Sequence, residues 1–570
     1  MKKVFKFFGY FLLVLVVLML GGYAYIQWGL APQLPEVKDT SALQLQREKA
    51  GDNFYRIGNN WLRKTPNGLW EEYIEGAPFE RGVITGKLEK ELLYSQEEAF
   101  VEQIHNLIPS DSYLKFLSLF TRVFNRHLDE NFPLENKLEI YGESFSAPKE
   151  FEMIGPAYDR MINYHAAHDI GHALQSLALV GCTSFAAWGE RSADSSMIIG
   201  RNLDFYMGDK FAQDKIVYFC KPKDGHRFAM ITWAGFMGCV SGMNDKGITV
   251  TINAAKSDVP TGATTPISIL AREILQYAGT IDEAYAIAKK RKTFVCETLM
   301  IGSAADHKTA LIEKSVAKTV LYHTDTNYIM CANHYQSDTF KTDPNNVENM
   351  KTSASLYRFN RLQELMGRDD KLDYKDVAAI LRDQRGLNDK NIGTGNEKAL
   401  NQLISHHAIV FQPEKLRFWV SANPYQLGEL VCYDLNKVFA EAPGLKDSRL
   451  LNDTALTIPA DTFLLSQQWK DFLRWRELKQ QIKNATKEKK YIDAKTELDF
   501  VKLNPEFWET YAIEGDYLAA VGMNSSALSS YKFALTKEIN DTHEIEKLKE
   551  KIKKLPPVTN RICTEGEDNR

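Results

Sequence analysis

A chain of 570 residues with 44% hydrophobic and 25% charged side chains is too long for one hydrophobic core, so two to four domains are expected. The net charge of −4, with no basic stripe interleaved with aromatics, excludes nucleic acid as an expected partner. Seven cysteines, at positions 182, 220, 239, 296, 331, 432 and 563, form no Cys-x-x-Cys pair, which excludes a zinc ribbon or thioredoxin-like site.

Lys2, Lys3 and Lys6 precede an uncharged stretch over residues 7–28. At 1.5 Å per residue this stretch would reach ~33 Å, against ~30 Å for a bilayer core. It closes on Tyr23, Tyr25 and Trp28, an interfacial aromatic cluster. These features predict an uncleaved single-pass transmembrane anchor over 1–29, with the rest of the chain on the extracytoplasmic, periplasmic side. Residues 30–65 are polar and carry Pro32 and Pro35, as a membrane-proximal spacer would. A strand and tight turn around residues 73–82 lead into a helix reaching Leu88. Helical spacing recurs over 97–127 and 156–179, so 30–181 reads as spacer and helical pro-segment.

After Cys182 the pattern turns to strands, at 197–199, 215–220, 228–232 and 248–252. Lys223-Asp224-Gly225 and Asn244-Asp245-Lys246-Gly247 mark turns between them. Helices are expected at 267–277 and 281–290, strands at 297–301, 309–314 and 328–331, helices at 354–366 and 374–382, and strands at 407–411 and 417–421. This alternation predicts two sheets covered by helices, a core spanning 182–455. From 456 to 570 the reading is helical. Ala494 and Ala527 lie 33 residues apart, and the segment around them resembles tetratricopeptide repeats. It is read as a helical appendage offering a docking surface for a protein partner, with a disordered tail beyond Leu555.

The chemistry centres on Gly181-Cys182, with Arg201 and Asp204 about twenty residues on. A cysteine directly after glycine is the pattern of a chain that cuts itself to expose its nucleophile. Cleavage between Gly181 and Cys182 would free an α-amino group, a base that ordinarily titrates near pH ~8, on the residue that carries the thiol. Gly181 has no Cβ and leaves its carbonyl open to attack, Arg201 would acidify the thiol, and Asp204 would hold the new ammonium. A buried structural cysteine and an Arg201–Asp204 salt bridge are the plainer alternatives. His165, His168 and His172 share a helical face where a metal would fit, although local hydrogen bonding explains them equally and no metal is assigned. His406-His407 opens an apolar strand and reads as structural.

The segments Gly181-Cys182-Thr183-Ser184 and Gly200-Arg201-Asn202-Leu203-Asp204-Phe205 resemble the acyl-coenzyme A:6-aminopenicillanic acid acyltransferase family. That family belongs to the N-terminal-nucleophile hydrolases, beside choloylglycine hydrolases and acid ceramidases. Further motifs agree in order: Gly76-Ala77-Pro78-x-Glu80-Arg81-Gly82, Ser241-Gly242-Met243-Asn244-Asp245-Lys246-Gly247 with Ile252-Asn253, Ala332-Asn333-His334, and Ser355-x-x-Arg358-Phe359. The resemblance covers residues 70–435.

The resemblance implies an α+β chain with a four-layer αββα sandwich, carrying the transmembrane helix at one end and the helical appendage at the other. It implies Cys182 as nucleophile and base, Arg201 and Asp204 as its positioning groups, and Asn253 as oxyanion donor. Asn333 would organise the same site and Arg358 would bind substrate, with no cofactor. The expected substrate is a small amphipathic amide: an N-acyl amino acid, a conjugated bile acid or an N-acyl lipid. The acyl group would pass through a Cys182 thioester to water or an amine. Two alternatives predict different chains: an uncut membrane-anchored scaffold, or a papain-like enzyme using His407 as base.

Overall fold

The computed structural model describes residues 2–25, 29–107, 110, 121–126, 128–173, 180–258, 260 and 262–556. The chain divides into two compact units. The first comprises residues 1–348, 365–382 and 403–460, the second 349–364, 383–402 and 461–570.

Two sheets organise the first unit, with strands numbered in chain order. One runs β1 (Glu48–Gly51), β2 (Phe54–Ile57), β3 (Asn60–Lys64), β4 (Trp70–Gly76), β7 (Ile216–Pro222), β8 (Phe228–Thr232), β9 (Ser241–Asn244), β10 (Ile248–Ala254), β11 (Glu297–Ser303), β12 (Lys308–Lys314) and β13 (Thr319–Tyr322). The other runs β14 (Tyr328–Cys331), β5 (Val180–Ala187), β6 (Ile198–Phe205), β15 (His407–Gln412), β16 (Arg417–Ser421), β17 (Leu430–Asp434) and β18 (Asn452–Ile458). Neighbours pair antiparallel except β4 with β7, which run parallel.

Alternation along the strands assigns their faces. Ala186 and Ile199 from the second sheet meet Val217, Phe219 and Met300 from the first in a core between the sheets. Ile74, Tyr218 and Cys220 face the other way and pack with Ile84, Ile140 and Leu270 from the helices Pro78–Leu88, Leu134–Ser144 and Ile267–Tyr277. The helix Tyr374–Leu381 lies on the outer face of the second sheet, where Asn202 Nδ2 donates to Leu381 O at 2.8 Å. Gly200 is required there, since a Cβ would stand 2.5 Å from Val377 Cγ1. The first unit is therefore α+β, with helices covering both sheets.

The second unit holds the helices Gln467–Glu488, Ala494–Leu503, Trp508–Ala520, Asn524–Ala534 and Thr542–Lys554. Trp475 stacks on Phe500 at 5.6 Å and donates its indole N–H to Thr510 Oγ1 at 3.0 Å. Arg361 is clamped by Asp383, Asp389 and Glu364 within 3.0 Å. Residues 557–570, most of the tail read as disordered, lie outside the described residues.

Two expectations are corrected. Among the described residues no helix is long and apolar enough to cross a membrane. The first helix, Lys2–Ala24, does not meet that condition. The single-pass anchor, and the periplasmic placement derived from it, are withdrawn. The spacer over 30–65 instead supplies β1–β3; the turns at Gly58-Asn59 and Pro66-Asn67-Gly68 were its legible hairpin signals. Among the described residues six cysteines are buried and none is in a disulfide.

Between the helices and the first sheet lie three buried carboxyls, Glu72 on β4, Glu89 after the helix Pro78–Leu88, and Glu143 in Leu134–Ser144. The neighbouring cations Arg81 and Arg272 are committed to Glu139, at 3.1 and 3.5 Å. Glu89 accepts the Gly235 N–H at 3.2 Å. Burial, reinforced by Glu89, Glu143 and Cys220, holds the Glu72 carboxyl well above its usual range, and Glu143 likewise; burial lifts Glu89 to about 7. A carboxyl raised in the folded state contributes its stability below its unfolded pKa and loses it as pH climbs through the folded value. The double variant Glu72→Gln, Glu143→Gln should therefore gain melting temperature over wild type progressively from pH 5 to pH 8. Thermal melts across that range check it, and a difference independent of pH would refute the assignment.

Candidate active site

Cys182 lies on β5, 1% exposed, and pairs in register with Leu203 of β6; Gly181 pairs with Asp204. Cys182 and Ser184 share the face of β5 that looks toward the first sheet, and Arg201, Leu203 and Phe205 share the matching face of β6. The site thus forms between the sheets, its side chains aimed by strand alternation.

Arg201 is completely buried. One guanidinium nitrogen donates to Cys182 Sγ at 3.7 Å and to Ile252 O on β10 at 2.8 Å. The other donates to Ser241 Oγ on β9 at 2.5 Å. Among the described residues no carboxylate forms a salt bridge with it. Its positive charge therefore sits against the thiol without an ion-pair partner, a condition that favours thiolate; the buried Glu297 carboxyl of β11 feels the same charge, which opposes the rise that burial imposes on it.

Asn333 approaches the other side of Cys182. Its Oδ1 accepts the Cys182 backbone N–H at 3.0 Å while its Nδ2 donates to Ala254 O at 3.0 Å. Asn253, on β10, accepts the Ser184 hydroxyl at 2.8 Å and donates to Ala332 O at 3.3 Å. The two asparagines so bridge the sheets around β5, with Asn333 facing the nitrogen that cleavage would free.

Asp204 departs from expectation in direction. Three residues from Arg201 along a strand, it projects from the opposite face of β6, where it accepts the Ser405 hydroxyl. Arg358 lies in the second unit, on the helix Ser355–Met366, buried. His165 uses both ring nitrogens within the protein, donating to Met161 O at 2.7 Å and accepting the Met237 N–H at 2.8 Å. Burial lowers its pKa to about 4. Both nitrogens are spent, so His165 is no metal ligand here; the His168 and His172 side chains lie outside the described residues.

Residues not assigned to the site complete it. Ser184 and Ser241 stood in the quoted motifs without a role, and their positions on β5 and β9 give them one. His407 Nε2 lies 2.9 Å from Ser241 Oγ, and its Nδ1 2.9 Å from His406 Nδ1. His407 contacts the thiol's neighbours rather than the thiol, which does not fit a papain-like base. An apolar cavity walled by Phe100, Tyr164, Phe205, Phe211, Trp233 and Phe236 reaches β6 through Phe205, and neither Cys182 nor Leu203 lines it. Phe205 stands two residues from Leu203, ~7 Å along β6.

Residues 191–424 match the family model described as acyl-coenzyme A:6-aminopenicillanic acid acyl-transferase. The match begins downstream of Cys182 and takes in Arg201, Asp204, Asn253, Asn333 and Arg358. Over these residues the chain is similar to that family of N-terminal-nucleophile amidohydrolases and acyltransferases. An uncharacterized protein of Archaeoglobus fulgidus is 24% identical over 282 residues, 46% of this chain and 46% of its own. Protein dcd1B of Dictyostelium discoideum is 24% identical over 264 residues, 45% of this chain and 52% of its own. The chain spans about half the length of these curated relatives. Among solved structures, the Caenorhabditis elegans orthologue of N-acylethanolamine-hydrolyzing acid amidase is 18% identical, covering 41% of this chain and 93% of its own, with a TM-score of 0.29. A variant of the conjugated bile acid hydrolase from Clostridium perfringens is 14% identical, covering 45% and 93%, with a TM-score of 0.28.

Arg201→Lys keeps the charge but replaces a forked donor by a compact ammonium that cannot reach thiol, serine and carbonyl together. The variant should alkylate more slowly at Cys182, by about tenfold near neutral pH. Mass spectrometry of the Cys182 peptide after timed iodoacetamide treatment measures it; an unchanged rate would remove Arg201 from the site.

Proposed function

We propose that this chain is a self-processing cysteine amidohydrolase of the N-terminal-nucleophile type. The observation that carries the reading is the buried Arg201 guanidinium, without an ion-pair partner among the described residues, held against the Cys182 thiol. In the processing step the Cys182 thiolate attacks the Gly181 carbonyl, and the acyl group moves from nitrogen to sulfur. One water then hydrolyses the thioester, leaving a Gly181 carboxylate and a free Cys182 amine and thiol.

In turnover the amine takes the thiol proton, and the thiolate attacks a substrate amide. The leaving amine departs with a proton from the Cys182 ammonium, and water releases the acid from the thioester. Asn333 Oδ1, already on the Cys182 nitrogen, would hold the ammonium; Asn253 would donate to the tetrahedral oxyanion. Asp204 pairs with Gly181 in register and would act on the scissile bond from the outer face of the sheet. The aromatic cavity that reaches β6 through Phe205 favours an apolar acyl group, as in N-acyl amino acids, conjugated bile acids or N-acyl lipids.

N-terminal sequencing of the purified protein should find Cys182 as a new terminus, and Cys182→Ala should remain whole. The fragments 1–181 and 182–570 should elute together until denatured, because β4 and β7 exchange backbone hydrogen bonds across the cut. Uncut wild type that hydrolyses amides would overturn the processing step; an inert, cut enzyme across all three substrate classes would overturn the substrate assignment. Asn253→Ala should lower kcat on the best substrate by ~10²–10³ with a smaller effect on KM, the signature of a donor used in the transition state.

A further inference from the structure

A chain of buried polar groups leads away from Arg201: the Ser241 hydroxyl, then the His407 ring, then the His406 ring, each fully buried. Its hydrogen-bond directions follow from the donors. Arginine only donates, so Ser241 Oγ accepts from Arg201 and its own proton is free to point elsewhere. Directed at His407 Nε2, that proton makes His407 an Nδ1–H tautomer, which donates in turn to His406 Nδ1. His406 then carries its proton on Nε2, and its ring packs edge-on against Trp233 and Phe211 with centroids 5.2 and 6.1 Å away.

The reverse assignment is worse. With His407 donating to Ser241, the serine proton has no acceptor and the His406 Nε2 lone pair has no donor. Two buried groups are then unsatisfied, and each costs about 1–3 kcal/mol. The forward direction leaves only the His406 Nε2–H without a conventional partner.

We infer that His407 and His406 are positioning residues, which through Ser241 hold the Arg201 guanidinium in place against the Cys182 thiol. The inference rests on Cys182 as nucleophile. It gives a role to a histidine pair that no motif of the family resemblance includes. In this direction neither ring can take a second proton: one on His407 Nε2 would displace the Ser241 proton, and one on His406 Nδ1 would meet the His407 Nδ1–H across 2.9 Å. Their surroundings enforce this. Burial pushes both imidazoles well below their usual range; Lys215 and Arg201 face His406, while His406, Arg201 and Lys215 face His407. The nearby Asp204 carboxyl is engaged by Ser405. Lys215 is itself wholly buried, donates to Ser421 O at 3.2 Å, and is lowered to about 7 by that burial.

The test reads the thiol directly and needs no substrate. In the full chain, the pH midpoint of Cys182 alkylation by iodoacetamide is followed on the Cys182 peptide by mass spectrometry. His407→Phe keeps a planar ring but removes the acceptor; Ser241→Ala breaks the chain by one hydroxyl and stands in where the larger change prevents folding. Both should raise the midpoint by about one unit, which means about tenfold slower alkylation below it. His407→Gln, whose Oε1 can accept the Ser241 proton, should stay near wild type. A purely packing role predicts the opposite order, with the phenylalanine tolerated and the glutamine not. Folded His407→Phe or Ser241→Ala with a wild-type midpoint, or His407→Gln displaced as far as His407→Phe, would overturn the inference. A shifted midpoint in a chain that is never cut and cleaves no amide would support the relay and overturn the proposed function instead. An unshifted midpoint in a cut, active enzyme would overturn the relay alone.

Discussion

A positive charge buried without an ion-pair partner among the described residues is the constraint on which the site depends. Removing a guanidinium from water costs several kcal/mol even after relaxation. Arg201 recovers this through three neutral acceptors on three strands: the thiol on β5, the Ser241 hydroxyl on β9 and the Ile252 carbonyl on β10. Two of those strands belong to the opposite sheet, so the sheets must keep their spacing for the charge to remain solvated by the protein. The residual imbalance is best relieved by ionising the one acceptor able to lose a proton, Cys182. Fold and reactivity therefore share one interaction.

The same logic separates this cluster from the other buried charges. Arg81 and Arg272 share Glu139 and are compensated within the helical layer, while Glu72, Glu89 and Glu143 beside them are pushed toward the neutral form. Positive charge lacking a partner occurs at the thiol, and carboxyls lacking a partner occur on the far face of the first sheet. The segment before Cys182 is part of that arrangement. It contributes β1–β4 and all three of these carboxyls, of which Glu89 accepts the Gly235 N–H. It supplies four of the eleven strands of the first sheet.

The sequence disclosed the residues of the site better than their directions. Cys182, Arg201, Asn253 and Asn333 stand in local motifs, and strand periodicity aims the first two at the opposite sheet. The same periodicity places Asp204 on the other face from Arg201, since an odd spacing of three on a strand always divides a pair. Treating the two as one positioning group overlooked that. The helices at 267–277 and 281–290 and most strands after Cys182 follow their patterns. β1–β3 are short and polar on one side, and their turns were outweighed by Pro32 and Pro35. Nothing local marks His407 as a neighbour of Ser241, 166 residues earlier. That contact exists only because β15 pairs with β6 while β9 lies in the facing sheet. The two units also interleave in sequence, with 349–364 and 383–402 returning to the C-terminal helices, which a linear reading of domains cannot see.

The orientation of Asn333 bears on how one site would serve two reactions. Its carbonyl oxygen, not its amide nitrogen, meets the Cys182 nitrogen, and its Nδ2 is spent on Ala254 O. An amide oxygen accepts equally from a peptide N–H and from an ammonium, so cutting the Gly181–Cys182 bond would leave this contact in place and strengthen it by adding charge. The same group cannot stabilise an oxyanion without turning over and losing both bonds. On the proposed mechanism the labour divides accordingly. Asn333 anchors the nitrogen before and after cleavage, Arg201 holds the sulfur, and the oxyanion falls to Asn253, whose Nδ2 is held at 3.3 Å from the Ala332 carbonyl. That is longer than the other three contacts described for the two asparagines, and so more readily exchanged for a charged acceptor than they are.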